Sequence, residues 1–425
     1  MRKLVFGCVA DDFTGASDAA SFIARSGMKT MLFNGVPADV NDYPIDAGVI
    51  ALKSRTDTRE RAVSDSLTAV RWLLGQGAEH IYSKYCSTFD STPEGNIGPV
   101  MDAILEYCNE KCSILCPALP VNGRTVKEGK LYVNGVLLEE SSMKNHPLTP
   151  MRQSHIGRLM ESQSKYPCIM IQEDLMRQPK EFIWSYIGRE MEGRERSYLV
   201  PDYIKDEDTA KIVDVFGHMK VLSGGSGILT ELCSRYKKGA QRRESVDSRA
   251  EGPGIIFAGS CSAATLAQIE VFCKVGHYAL KIDPCRLKTG EETVNTIWEE
   301  VQKHRGQREI LIYSSDKPEK VKEIQRRGKE ETAACIENTF SALAVKARDA
   351  GYRRIIVAGG ETSGAVTKAL GYDSFYIGES IAPGVPVMIP SSDKKMRLIL
   401  KSGNFGQSDF FLKALEKTAE EWKNG

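Results

Sequence analysis

The sequence predicts two α/β domains with mainly parallel sheets that face each other across a cleft. Three observations lead there. Short apolar runs recur along the chain, each followed by glycine or small polar residues and then an amphipathic stretch, which is the βαβ rhythm of a parallel sheet. The 425 residues exceed one ordinary core, since a domain takes roughly 100 to 200 residues. A single polar stretch, 237–253, interrupts the rhythm with almost no apolar side chains, as a linker does. The expected domains are therefore 1–236 and 254–425.

In the first domain, strands are expected at 4–10, 30–33, 47–52, 80–84, 113–116 and 168–171, continuing at 198–201 and 220–222. Helices at 18–26 and 59–75 carry apolar residues at three- and four-residue spacing, with Gly27 and Gly75 where C-caps belong. The segment 121–150 breaks the rhythm. It holds a strand pair at 130–133 and 136–139 joined by Asn134-Gly135, a type I′ hairpin signal, and reads as a flap over a ligand. After the linker, strands are expected at 254–258, 279–282, 309–313, 354–358 and 397–400, with a helix at 332–350.

Composition excludes several classes. Apolar residues at 41% and charged residues at 27% describe a folded globular protein. A formal charge of +1 provides no global field for nucleic acid or an anionic membrane. The apolar run after Met1, Arg2 and Lys3 is ended by Asp11 and Asp12 too early for a secretory signal, and no run approaches the roughly 20 residues of a membrane span. Eleven cysteines without a C-x-x-C pair indicate reduced thiols and a cytoplasmic location. Cys108, Cys112 and Cys116 have tempting spacing, but a helix is expected to hold the first and a strand the last, so they read as structural. Base rates for soluble oligomers make a homodimer the default assembly.

The first strand runs into Ala10-Asp11-Asp12-Phe13-Thr14-Gly15, two carboxylates at the carboxyl edge where open α/β sheets bind ligands. They can hold hydroxyls, accept a proton or bind a cation; a helix N-cap is the plain alternative. Two more strand ends bring cations to the same edge, Arg55 and Lys84. Arg55 suits bidentate recognition of a carboxylate, and Lys84 supplies a point charge. A fourth strand end adds Asn122 and Arg124. Together they describe a pocket for an anionic polyol.

The second domain offers three glycine-rich strand ends: Gly259-Ser260-Cys261-Ser262, Gly359-Gly360-Glu361-Thr362-Ser363-Gly364 and Lys401-Ser402-Gly403-Asn404-Phe405-Gly406. Such turns bind phosphate through backbone N–H groups, and three in one domain describe a nucleotide site. None matches the P-loop or the dinucleotide fingerprint, which argues against a dehydrogenase. Glu361 is a candidate for arranging Mg²⁺, with a favourable helix N-terminal charge as the alternative.

These stretches together resemble the four-carbon acid sugar kinase family over nearly the whole chain. The resemblance rests on 10–18, 116–125 and the three glycine-rich turns. Within the family, Asn145-His146-Pro147-Leu148-Thr149-Pro150-Met151 resembles the branch that phosphorylates 3-oxo-tetronate at its 4-position. The resemblance implies an N-terminal sugar-acid-binding domain, a C-terminal nucleotide-binding domain and ATP as donor, with Mg²⁺. It implies nucleotide contacts at Ser260 or Ser262, at Gly360, Glu361, Thr362 and Ser363, and at Gly403. Arg55, Arg124 and Lys84 are then expected to bind the acid, together with Asp11, Asn122 and His146. Asp12 is expected to orient or deprotonate the acceptor hydroxyl and Lys84 to neutralise the transferring group. A kinase for D-threonate, D-erythronate or L-threonate is the neighbouring reading, and a non-catalytic sensor of sugar acid and nucleotide is the rival from another class.

Overall fold

A computed structural model describes residues 4–38, 43–145, 149–237, 246–316 and 329–420. The chain divides into two compact units, Met1–Glu244 and Ser245–Gly425.

The first unit contains strands β1 (Phe6–Ala10), β2 (Thr30–Asn34), β3 (Ala47–Ala51), β4 (His80–Lys84) and β5 (Cys112–Cys116). A small antiparallel meander follows, β6 (Arg124–Lys127), β7 (Lys130–Val133) and β8 (Val136–Leu137), and then β9 (Cys168–Ile171), β10 (Ser197–Pro201) and β11 (Val221–Gly224). The main sheet of this unit runs β2-β3-β1-β4-β11-β5-β10-β9, parallel throughout. The chain winds from β1 outward to β2 and β3 on one side and then crosses to β4 on the other. Thus β1 stands where the winding reverses, the place at which open α/β sheets leave a ligand crevice. Five consecutive buried residues in β1, in β3 and in β10 fit strands covered on both faces. Gly7 allows that covering: a Cβ there would stand 3.0 Å from Leu73 of the helix Arg59–Gly75.

The first helix differs from its sequence expectation, beginning at Phe13 instead of residue 18 because the Asp12 side chain caps it by accepting from the Gly15 N–H. Gly75 lies inside the second helix; Gly77, at φ +96°, takes the left-handed position beyond its end. The segment 121–150 gains a strand, β6, that the sequence reading lacked. Its two tight turns, Glu128-Gly129 and Asn134-Gly135, both place two successive residues at positive φ, as type I′ hairpins require. Asp202 ties the first turn to the body of the unit, its carboxylate accepting from the N–H groups of Glu128, Gly129 and Glu173 at 2.9, 3.1 and 3.0 Å.

The second unit contains β12 (Gly254–Ala258), β13 (Tyr278–Lys281), β14 (Glu309–Tyr313), β15 (Arg354–Ala358), β16 (Ser374–Ala382), β17 (Val385–Pro390) and β18 (Arg397–Lys401). They run β13-β14-β12-β15-β18-β17-β16, parallel up to β18 and antiparallel beyond it. Ile256, Phe272, Leu311, Ile356, Ile399 and Phe410 belong to the core between this sheet and its helices. The sequence reading named no strand between β15 and β18. Pro386 and Pro390 sit within β17 and argue against a strand there. The structure accommodates Pro386 beside a register shift opposite Ser380, and Pro383-Gly384, with Gly384 at φ +79°, turns the hairpin.

All eleven cysteines are unpaired. Cys108 ends a helix, whereas Cys112 and Cys116 lie on β5. Among the described residues no group of three or more His, Cys, Asp or Glu side chains is placed to hold a metal ion, and no helix is long and apolar enough to cross a membrane.

Candidate functional site

In the first unit the register brings three strand ends level: Ala10 of β1 pairs with Ala51 of β3 and with Lys84 of β4. The backbone continues the alignment past the strands, since Leu52 N–H donates to Ala10 and Asp11 N–H to Lys84. Asp11, Asp12, Arg55 and Lys84 are thereby delivered to one edge. Arg55 Nε and Nη2 donate to the two oxygens of Asp11, each at 2.9 Å. Nη1 lies 3.0 Å from Asp12 Oδ2 and 3.9 Å from Asp90 Oδ2. The guanidinium, expected to meet a ligand carboxylate, is instead shared among carboxylates of its own chain, and this pairing raises its pKa despite the opposing effect of burial.

Asp12 is the more open of the two aspartates, its side chain 33% exposed against 15% for Asp11. One oxygen accepts from Gly15 N–H at 2.6 Å and the other faces Arg55. Gly15 is required here because a Cβ would stand 2.5 Å from Asp12 Oδ1. Burial raises the Asp12 pKa, Arg55 opposes that and Asp11 adds to it, and the net direction is upward. An acceptor of hydroxyl protons gains basicity from such a shift.

Lys84 is only 3% exposed. Its ammonium donates to the Tyr85 carbonyl at 3.0 Å and pairs with Asp18 at 3.6 Å, while Asp18 also accepts from Ser226 Oγ. Burial works against the charge, but Asp18 and Asp11 outweigh it and the pKa is raised. Lys84 therefore balances charge beneath the site, its ammonium turned to Asp18 and the Tyr85 carbonyl.

Two contributors, Asp90 and Ser226, went unnoticed in the sequence. Asp90 stands near Arg55 and accepts from Thr88 Oγ1 at 2.8 Å. It and Phe89 hold φ of +46° and +65°, two successive left-handed non-glycine residues of the kind that collects at functional sites. Ser226 belongs to the run Gly224-Gly225-Ser226-Gly227 after β11. Cβ atoms at those three glycines would approach the carbonyl oxygens of Cys116, Pro117 and Ala118 to 2.1, 2.4 and 2.4 Å. A fourth glycine-rich strand end was the signal that could have found it.

A small cavity of about 30 Å³ lies behind Asp11 and Arg55, lined also by Ser54, Asp90, Ser91 and Asn96. It has room for a water or two. Asn122 and Arg124 leave from the same sheet edge, because Gly224 of β11 pairs with both Lys84 and Cys116. Arg124 donates to the Asn122 carbonyl, and its Nε is buried without a partner among the described residues. No hydrogen bond or ion pair among the described residues joins them to the Asp11–Arg55 cluster. His146 lies outside the described residues.

In the second unit, Ala258 pairs with Ala358 and Tyr313, and Ala358 with Lys401, so the three glycine-rich turns emerge at one edge. They pack directly on one another. Gly259 and Ser260 N–H both donate to Ala358, and Gly359 N–H donates to Lys401. A Cβ on Gly259 would stand 2.4 Å from Thr362 Oγ1, and one on Gly403 2.2 Å from Ser260 Oγ. Ser262 caps the helix Ala263–Lys274 by accepting from Thr265 N–H, and its hydroxyl donates to Gly403 O at 2.6 Å. Ser260 Oγ accepts from Ser262 N–H at 3.2 Å. A fourth strand end joins from β14, with Ser315 Oγ donating to Ser260 O at 2.6 Å; the sequence reading missed it because Ser314-Ser315 lacks glycine.

The helix Gly360–Leu370 begins at this edge. Thr362 and Ser363 are buried, and Ser363 Oγ has no hydrogen-bond partner among the described residues, whereas Gly360 and Glu361 are exposed. A Cβ at Gly360 or Gly364 would meet nothing within 4 Å, so internal packing does not demand glycine there. Across from Glu361 stands Glu337, whose carboxyl is pushed upward by burial and by the Glu361 charge.

Residues 6–232 match the family described as a sugar-binding N-terminal domain, and residues 255–411 match the nucleotide-binding C-terminal domain. The chain is 42% identical over 422 residues to the 3-oxo-tetronate kinase of Pseudomonas fluorescens, covering 98% of this chain and 97% of that one. It is 41% identical to the 3-oxo-tetronate kinase of Brucella melitensis over 99% of this chain and 97% of that one. Among solved structures, a Haemophilus influenzae protein superposes with a TM-score of 0.82 at 37% identity, over 96% of this chain and 98% of the other.

Proposed function

Since the chain belongs to the four-carbon acid sugar kinase family, we propose that it transfers the γ-phosphoryl group of ATP to the terminal hydroxyl of 3-oxo-tetronate, giving 3-oxo-tetronate 4-phosphate and ADP. The observation that carries the acceptor is the match to relatives named for it, 42% identical across both units.

Arg55, itself held by Asp11, faces one oxygen of Asp12 and the Gly15 N–H meets the other, while the Asp12 side chain stays 33% exposed. Asp12 accepts the proton of the substrate's terminal hydroxyl as the hydroxyl oxygen bonds to the γ-phosphorus and the bond from phosphorus to the bridging oxygen of ADP breaks. Such transfers rest on positioning and charge stabilisation more than on covalent chemistry. Arg55 and Lys84 act as positioning residues, holding the aspartates in place. Arg124, with its unpartnered Nε, Asn122 and His146 are the groups left to recognise the substrate carboxylate.

The turns carrying Ser260, Ser262, Gly403 and Gly360 to Ser363 bind the nucleotide, with the bare surface at Gly360 allowing phosphate to approach the backbone. Mg²⁺ commonly binds through one or two carboxylates plus substrate phosphates, and the neighbouring Glu361 and Glu337 supply oxygen donors of that kind. The ion would neutralise phosphate charge.

Coupled ADP release with a panel of four-carbon acids tests the reading: turnover is expected with 3-oxo-tetronate in preference to D-threonate, D-erythronate and L-threonate. Preference for one of the non-oxidised acids would keep the kinase and reject the acceptor.

A further inference from the structure

Lys401, the last residue of β18, is 1% exposed. It differs from Lys84 in having no ion pair among the described residues. Its ammonium donates to Thr265 Oγ1 at 3.0 Å and to Gly403 O at 2.9 Å, and it lies 5.9 Å from the centroid of the Phe410 ring. Burial without a compensating charge pushes its pKa down to about 7. A buried cation left unpaired is costly.

The Gly403 carbonyl explains where the lysine acts. Three donors converge on that oxygen from within the fold: Ser262 Oγ at 2.6 Å, Lys401 Nζ at 2.9 Å and Thr265 Oγ1 at 3.0 Å. Two of the three come from the start of the helix Ala263–Lys274, so Lys401 ties the third turn to the first. In a planar trans peptide the C=O and the following N–H point in opposite directions. Holding Gly403 O inward therefore turns the Asn404 N–H outward, and Asn404 is exposed. Gln268 steadies the rest of the turn by donating to the carbonyls of Phe405, Gly406 and Gln407 at 3.0, 3.1 and 3.0 Å.

We propose that Lys401 is a positioning residue for the polyphosphate of the bound nucleoside triphosphate: from beneath the 402–406 turn it fixes the Gly403 carbonyl inward, presents the Asn404 N–H to phosphate oxygens and places a positive charge behind that donor. The inference rests on the nucleotide-binding reading of the second unit and adds to it a residue covered too deeply to be found by contact with a ligand.

The test compares binding of ATP and of adenosine, by titration calorimetry on the full-length protein, for the wild type, Lys401→Met and Thr265→Val, alongside KM values for both substrates. Lys401→Met is expected to weaken ATP binding by about tenfold or more, the scale of a lost charge-assisted contact. Adenosine affinity and the KM for the acid should stay unchanged. Thr265→Val, which removes one of the two groups bonded by the ammonium, should weaken ATP binding in the same phosphate-dependent way, and it carries the test if Lys401→Met does not fold. Equal losses for ATP and adenosine would mark a structural role only and reject the proposal, as would unchanged ATP affinity in folded variants. A wild type that binds neither ATP nor ADP would overturn the nucleotide reading itself, an outcome visible before any variant is made.

Discussion

Arg55 holds Asp11 through two parallel hydrogen bonds of 2.9 Å, joining loops that follow two neighbouring strands. The remaining guanidinium nitrogen reaches Asp12 at 3.0 Å. Such a fork fixes both the position and the plane of the carboxylate, and it makes the geometry of Asp12 depend on a residue 43 positions further along the chain.

Replacing Asp12 by asparagine keeps a side chain that can cap the helix at Phe13 but removes the proton acceptor. Turnover should fall by roughly 10²- to 10⁴-fold, with the melting temperature little changed. Near-normal turnover in the folded variant would remove Asp12 from the reaction.

Arg55→Met leaves Asp11, Asp12 and Asp90 without their shared cation. Breaking such a partly buried network should cost about 3 kcal/mol of stability, measurable by denaturant unfolding. In a double-mutant cycle Asp11→Asn and Arg55→Met should be strongly non-additive, because the second substitution removes a partner the first has already neutralised.

The acid limb of kcat/KM should titrate above the ordinary aspartate value of 3.8, since the pKa of Asp12 is raised and the base works only when ionised. Activity is therefore lost as pH falls through that raised value. Arg55 lowers the Asp12 pKa, so Arg55→Met should move the limb to higher pH. A limb that stays put in that variant would show that another group controls it.

Lys401 gives stability a slope of known sign. Its pKa is about 7 in the folded protein against an ordinary 10.5. Below about pH 7 both states hold the proton, whereas between those two values the unfolded chain binds more protons and stability rises with pH. Lys401→Met should accordingly be more stable than the wild type at pH 6, and its advantage should shrink toward pH 10. Unfolding curves for the two proteins across that range check the slope.

Much of this architecture was legible in the sequence. The apolar strands of both sheets, the Asn134-Gly135 turn and the three glycine-rich strand ends announce themselves through local patterns that sterics and burial dictate. The partners of the charged residues did not. Nothing near Arg55 in the sequence says that Asp11 will fill its fork, because that pairing depends on the register of β1 against β3. Lys84 and Lys401 are both lysines at strand ends, yet one pairs with Asp18 and the other with no carboxylate among the described residues, a difference set by helices folding over the sheet. Asp90 was hidden because left-handed backbone at Phe89 and Asp90 leaves no compositional trace. The β16–β17 hairpin was masked by its own prolines.

The most direct measurement of the central claim is coupled ADP release from ATP and Mg²⁺ with 3-oxo-tetronate, generated in place, beside D-threonate, D-erythronate and L-threonate. Selective turnover of the oxo acid, abolished by Asp12→Asn, is the predicted result. ATP binding with no acid-dependent ADP release from any of the four would contradict it and leave a sensor of sugar acid and nucleotide.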